Sequence, residues 1–196
     1  LMLLSQIFWF FGLHGANIVG PFLDTMYGPA LSANFEAVTA LGIAAPHVLT
    51  RNFTDVYGMH GGSGATLGLI IAIFLFSKRQ EFKELAKLAT PSGVFQINEP
   101  IIFGLPIVLN PMMFIPFILT PAISIFIAWL FTGPIPFAGR LYMSIPWTTP
   151  PIISAFLSSG GNIPATILAA ATLLLSVLIY APFVIVANKQ SNQESK

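Results

Sequence analysis

Two long stretches of this chain contain no Asp, Glu, Lys or Arg: Pro100 to Gly139, and Leu141 to Asn188. A bilayer's hydrocarbon core is crossed by ~20 apolar residues in a helix. Each stretch is longer than that, so each has room for more than one pass, or for a pass and a re-entrant element. Over all 196 residues, 8% are charged and 55% hydrophobic, whereas a soluble domain is about 25% charged. Mean hydropathy is +0.82. These values exclude a soluble globular domain and a disordered chain. The net charge of +1 provides no electrostatic footprint for nucleic acid. There is no cysteine, which excludes disulfides, thiolate metal sites and cysteine chemistry within the chain. The expected class is an all-α integral membrane protein, a polytopic helical bundle.

The charges that do occur are clustered. Six of the fifteen lie between Lys78 and Lys87, and Lys189, Glu194 and Lys196 lie in a polar tail. Apolar runs predict spans at about 63–76 (starting near His60), 110–131 and 163–186, and a further helix at 1–14. The loop 78–87 and the tail are the basic segments, so both are expected on the cytoplasmic side. Two spans between them satisfy that parity. The opening LMLLSQIFWFFGLHG lacks the basic start of a signal peptide. It reads as a fragment that begins within or at the edge of a membrane helix.

Residues 15–57, 88–109 and 133–162 are rich in Pro, Gly, Asn and Thr, yet apolar. Irregular backbone at membrane depth must line a protein-enclosed cavity, because lipid cannot satisfy its N–H and C=O groups. Short hydrophobic segments broken by Pro and Gly are the sequence pointer to a transporter's binding site. These three segments are therefore expected to form re-entrant hairpins. The plainer reading is that they are loops packed back on the helices.

Glu99 is isolated in charge: the nearest charged neighbours in sequence are Lys87 and Arg140. A carboxylate in such a stretch costs a few kcal/mol and marks a functional site by default, although a residue at the membrane–water boundary is the simpler alternative. Pro100 breaks the helix beside it. The histidines occur in two similar fragments, Gly12-Leu13-His14-Gly15 and Gly58-Met59-His60-Gly61, with His47 apart. Their spacing fits no zinc signature, so no metal is expected. A hydrogen-bonding role suits His14, and helix packing suits His60. The pairs Gly58/Gly62 and Gly64/Gly68 read as small-xxx-small packing patterns; no Lys follows them, which excludes a P-loop. Trp147 offers the flat apolar face and single donor that suit a pyranose, or an interfacial belt. Arg51, Asn52 and Asp55 are able to line a site or to cap a hairpin.

The run Phe95-Gln96-Ile97-Asn98-Glu99-Pro100-Ile101-Ile102-Phe103-Gly104-Leu105-Pro106-Ile107-Val108-Leu109-Asn110-Pro111 resembles the signature of the membrane (IIC) component of bacterial sugar phosphotransferase systems, in particular the lactose/cellobiose/diacetylchitobiose family. Phe10-Phe11-Gly12-Leu13-His14-Gly15, Gly62-Ser63-Gly64-Ala65-Thr66-Leu67-Gly68-Leu69 and Ile145-Pro146-Trp147-Thr148-Thr149-Pro150 support it in order and spacing.

That resemblance implies a substrate-binding domain over residues 1–188, a polar cytoplasmic tail at 189–196, and a preceding interface domain that forms a homodimer in the bacterial cell membrane. It implies a disaccharide of the cellobiose, lactose or chitobiose class as substrate. The soluble IIA and IIB components are the implied partners, with a IIB phosphocysteine as donor to the sugar's C6 hydroxyl. No cofactor is expected. By the same resemblance Glu99 and His14 contact the reacting hydroxyl, and Asn98 and Trp147 are further sugar contacts. Read from residue chemistry alone, Glu99 and His14 also fit an ion-coupled symporter or an intramembrane hydrolase.

Overall fold

A computed structural model describes residues 1–105 and 107–194, with side chains as far as Asn188; Pro106 of the motif and the side chains of the 189–196 tail lie outside it. The described residues are helical, without strands, in the order α1 (Met2–Phe10), α2 (Gly15–Thr39), α3 (Phe53–Tyr57), α4 (Thr66–Phe76), α5 (Gln80–Val94), α6 (Glu99–Gly104), α7 (Pro111–Thr132), α8 (Ile153–Ser158) and α9 (Ile163–Glu194). A 3₁₀ turn at Ser63–Ala65 leads into α4.

Two helices are long and apolar enough to cross a membrane, Pro111–Thr132 and Ile163–Asn188, and they coincide with two of the expected spans. The other two expected spans are shorter than a bilayer. At 1.5 Å per residue, the eleven residues of α4 reach only about 16 Å, because Gly61, Gly62 and Gly64 hold positive φ and keep the backbone out of the helix before Thr66. The N-terminal apolar segment ends as a helix at Phe10, where Gly12, at φ +80°, turns the chain.

The largest departure from expectation is α2. Pro21 and Pro29 predict an irregular segment, yet both lie within a 25-residue helix. An internal proline removes one hydrogen bond, and at membrane depth that loss is tolerated where local side chains and neighbours compensate. The Thr25 hydroxyl adds a bond to the Pro21 carbonyl at 2.9 Å, while the carbonyls that lose their helical donor are those of Asn17 and Thr25, four residues before each proline. The start of α2 is fixed by its surroundings: a Cβ on Gly15 would meet the Ser5 carbonyl, so only glycine permits this approach of α2 to α1. The expected loop at 78–87 is likewise the first part of α5. Its Ala86, Ala89 and Gly93 are buried on one face, and Gln80 donates to Glu84 one turn on at 2.7 Å. Residues 40–52, 95–98 and 133–152 do remain largely irregular around the short helices α3, α6 and α8.

Two apolar cores hold these elements. One gathers Leu69, Ile70 and Ile73 of α4 with Ile101 and Ile102 of α6, Met113 and Phe117 of α7, and Tyr180 and Val184 of α9. The other joins Phe53, Val56 and Tyr57 of α3 to Ala128 of α7, Ala155 of α8, and Ala165, Leu168 and Ala169 of α9. Gly68 packs on Ser176 of α9, a close helix approach, but neither expected small-xxx-small pair forms on a helix face. Gly58, Gly62 and Gly64 instead lie outside regular helix. Asn188 of α9 donates to the Phe76 carbonyl at 2.9 Å and accepts from the Lys78 N–H at 2.8 Å. The basic stretch after α4 and the far end of α9 therefore share one end of the bundle.

Candidate functional site

A cavity of about 420 Å³ opens among the start of α2, the glycine turn before α4, the start of α6 and the irregular segment carrying Trp147. His14, Asn98, Glu99 and Trp147 all line it, as do Trp9, Asp24, Arg51, Asp55 and Gln96. All four site residues expected from the sequence thus face one volume, although Trp147 lies 133 positions from His14.

His14 is the N-cap of α2. Its Nδ1 accepts from the Asn17 N–H at 3.3 Å, which leaves Nε2 to carry the proton of the neutral ring. That Nε2 stands 3.6 Å from Glu99 Oε1, and both side chains are 43% exposed. The separation exceeds hydrogen-bond length, so the two groups do not bond each other directly and both are open to a hydroxyl approaching from the cavity. The Trp9 ring lies against His14 with centroids 4.4 Å apart. Glu99 opens α6 beside Pro100, whose fixed φ suits the first helical turn.

Asn98 is buried, and its amide donates to the Ser63 carbonyl at 2.8 Å. Part of its polarity is therefore committed to the glycine turn. Gln96 completes that link: its Oε1 accepts from the N–H groups of Gly61 at 2.6 Å and Gly62 at 3.2 Å, and its amide donates to the Thr149 carbonyl at 3.4 Å. A Cβ on Gly62 would come within 2.7 Å of the Gln96 carbonyl oxygen and 2.8 Å of Asn98 Cγ, at a φ of +93°. From the other side, Gln6 accepts from the Gly64 N–H at 2.7 Å, and the Tyr180 hydroxyl donates to the Gly64 carbonyl at 2.6 Å. The turn that forms the cavity wall is held by four side chains from three separate segments: Gln6 of α1, Gln96 and Asn98 before α6, and Tyr180 of α9.

Trp147 is 60% exposed and presents its ring at the cavity. Arg51 donates through Nε to Asp24 Oδ1, and through Nη1 to Asp55 Oδ2 at 3.1 Å. These three residues line the cavity, whereas Asn52 is turned away and stitches the hairpin. Asn52 donates to the Met143 carbonyl at 2.9 Å and to Ser158 Oγ at 3.1 Å. The two readings left open for this trio of residues therefore divide: Arg51 and Asp55 line the site, and Asn52 caps. His60 is fully buried and lies 2.8 Å from Thr172 Oγ1 of α9, a packing position. Among the described residues no three His, Cys, Asp or Glu side chains converge as metal ligands would.

Sequence reasoning missed Trp9, Asp24 and Gln96. Trp9 was hidden in an apolar run, and Asp24 in a segment expected to be irregular. Gln96 stood within the motif, where its amide chemistry was the only available signal.

Residues 1–121 match the family described as "Phosphotransferase system, EIIC". The cellobiose-specific EIIC component of Lactococcus lactis is 39% identical over 98% of this chain and 43% of its own length. The lichenan permease IIC component of Bacillus subtilis is 39% identical over 97% of this chain and 42% of its own. A crystal structure of ChbC, the IIC component of the N,N′-diacetylchitobiose-specific system, superposes with a TM-score of 0.94 at 35% identity, over 99% of this chain and 45% of that one. The chain thus spans less than half the length of these relatives. The motif around Glu99, the shared fold and the match over residues 1–121 place the chain in the EIIC family of the phosphotransferase system.

Proposed function

We propose that this chain is the C-terminal, substrate-binding half of a multi-pass permease that takes up a disaccharide of the cellobiose, lactose or chitobiose class and presents it for phosphorylation at C6. The observation that carries this reading is the His14–Glu99 pair, 3.6 Å apart at the wall of a 420 Å³ cavity that Trp147 also lines. That volume falls in the ordinary range for small-molecule sites, about 300–1,000 Å³. The cellobiose and lichenan relatives support the substrate class.

In this reading the C6 hydroxyl sits on the cavity side of the pair, within reach of both side chains. His14 Nε2–H donates to the hydroxyl oxygen, and Glu99 accepts the hydroxyl proton. A IIB phosphocysteine supplies the phosphoryl group, with IIA upstream of it. The S–P bond breaks, the O–P bond forms, the thiolate departs and the proton passes to Glu99. The chain contributes position and a proton acceptor, which is what phosphoryl transfer most requires. Trp147 stacks on a pyranose face, and Asn98 steadies the wall while offering its carbonyl oxygen to a sugar hydroxyl.

The irregular segments around α3, α6 and α8 act as re-entrant hairpins at membrane depth, and a preceding domain completes the full permease as a homodimer within the bacterial membrane. Isothermal titration of the purified full-length permease with cellobiose, lactose and diacetylchitobiose tests the reading. Saturable binding of at least one is expected, and it should be abolished by removing the His14–Glu99 pair. Binding that survives loss of both side chains would overturn the assignment.

A further inference from the structure

The cavity's charges are unevenly balanced. Asp24, Asp55 and Glu99 face it against one guanidinium, Arg51, giving a net charge of −2 with His14 neutral and −1 with His14 protonated. Arg51 is also already paired with two carboxylates. Arg51 bridges Asp24 on α2 and Asp55 on α3, one carboxylate on its Nε and the other on its Nη1. Thr54 Oγ1 adds a hydrogen bond to the other oxygen of Asp55, at 3.3 Å. Asp55 and Arg51 are mostly covered, with side chains 24% and 29% exposed, whereas Asp24 is 64% exposed.

Guanidinium groups recur in phosphate sites because their forked donors match phosphate oxygens. An arginine in the wall of a cavity where a phosphoester is made would thus be expected to hold the product. Here two carboxylates already occupy it, and a third lies across the cavity. A neutral sugar meets hydrogen-bonding groups of both kinds in this lining. A sugar bearing a phosphate of about −1.5 to −2 charge at neutral pH meets a net negative wall and a cation that has no charge to spare.

We propose that the Asp24–Arg51–Asp55 triad is the charge-selectivity element of the cavity: it cancels the guanidinium so that neutral sugar is held and the phosphorylated product is rejected. The proposal rests on the cavity being the sugar site. It gives uptake a direction, because the chemical step converts a ligand that the lining accepts into one that it repels. It also keeps anionic sugars from competing for the site.

The test is the ratio of two affinities, so a general loss of binding in a variant does not obscure it. The full-length permease in nanodiscs is titrated with cellobiose and with cellobiose phosphorylated at C6 of the non-reducing ring. Wild type is expected to bind the phosphate at least about tenfold more weakly. Asp24→Asn and Asp55→Asn each release part of the guanidinium charge. Each should narrow that gap by roughly two- to tenfold, with the larger change at the less exposed Asp55. Arg51→Gln should widen it. Wild type binding both ligands equally, or aspartate variants that leave the ratio unchanged, would overturn the proposal while leaving the sugar site intact. Wild type binding neither ligand would overturn both.

Discussion

His14 and Glu99 are 85 residues apart in sequence, yet His14 Nε2 stands 3.6 Å from Glu99 Oε1. The approach depends on Gly15, which lets α2 begin against Ser5 of α1, and on the break at Pro100, which starts α6 at Glu99. The Asn17 N–H fixes the imidazole tautomer. The pair thus presents one donor and one acceptor side by side at the cavity, and its chemistry follows from where two helices start.

The two Gly-x-His-Gly fragments make opposite demands. His14→Ala should weaken disaccharide binding by roughly ten- to a hundredfold, the value of one or two hydrogen bonds to neutral or charged partners. His60→Ala removes a buried ring that meets Thr172, so it should lower thermal stability by roughly 1–3 kcal/mol and affect binding less. Calorimetric titration and thermal melts of both variants check this. Lost binding in His60→Ala alone would reverse the roles.

The glycine turn is expected to tolerate no side chain at its centre. Gly62→Ala places a methyl group within 2.8 Å of both Gln96 and Asn98 at φ +93°. Backbone strain of this kind costs on the order of 1–3 kcal/mol, and the displaced Asn98 carries Glu99 with it. A clear drop in melting temperature with loss of sugar binding is expected. Gly28→Ala, whose methyl group meets nothing within 4 Å in α2, should be neutral or stabilising by about 0.5–1 kcal/mol. Equal melting temperatures for the two variants would contradict the account of the turn.

Topology is testable independently of sugar. The hydrogen bonds that Asn188 donates to the Phe76 carbonyl and accepts from the Lys78 N–H bring the basic stretch and the end of α9 together, and positive charge favours the cytoplasmic face. Single cysteines replacing Phe82 and Ser191 in the otherwise cysteine-free chain should resist an impermeant thiol reagent in intact cells and react after lysis. Labelling of either from outside would invert the orientation.

Part of the candidate cavity's lining was legible in the sequence because membrane depth makes polarity expensive. Glu99 stood out by its isolation, and the family resemblance pointed to His14, Asn98 and Trp147, which line the same cavity. The spans at α7 and α9 were legible because uninterrupted apolar runs have few alternatives in lipid. The helical path of α2 was not, since Pro21 and Pro29 signal a break unless tertiary surroundings compensate. The roles of Gln96 and Asp24 depend on partners 34 and 27 residues away, a relation that no local pattern encodes. Composition did predict that irregular segments would line a cavity, but not that Arg51 would be held between two carboxylates.

The central claim is that Glu99 accepts the proton of the hydroxyl being phosphorylated. It is tested by following sugar phosphate formation with phosphorylated IIB and IIA in membranes containing wild type or Glu99→Gln, with insertion verified by immunoblot and cellobiose binding measured in parallel. The glutamine keeps the side chain's shape and one acceptor but not the basicity. General-base contributions are about 10²–10⁴-fold, so phosphorylation should fall by at least a hundredfold in a variant that remains inserted. Phosphorylation by Glu99→Gln at the wild-type rate would contradict the account.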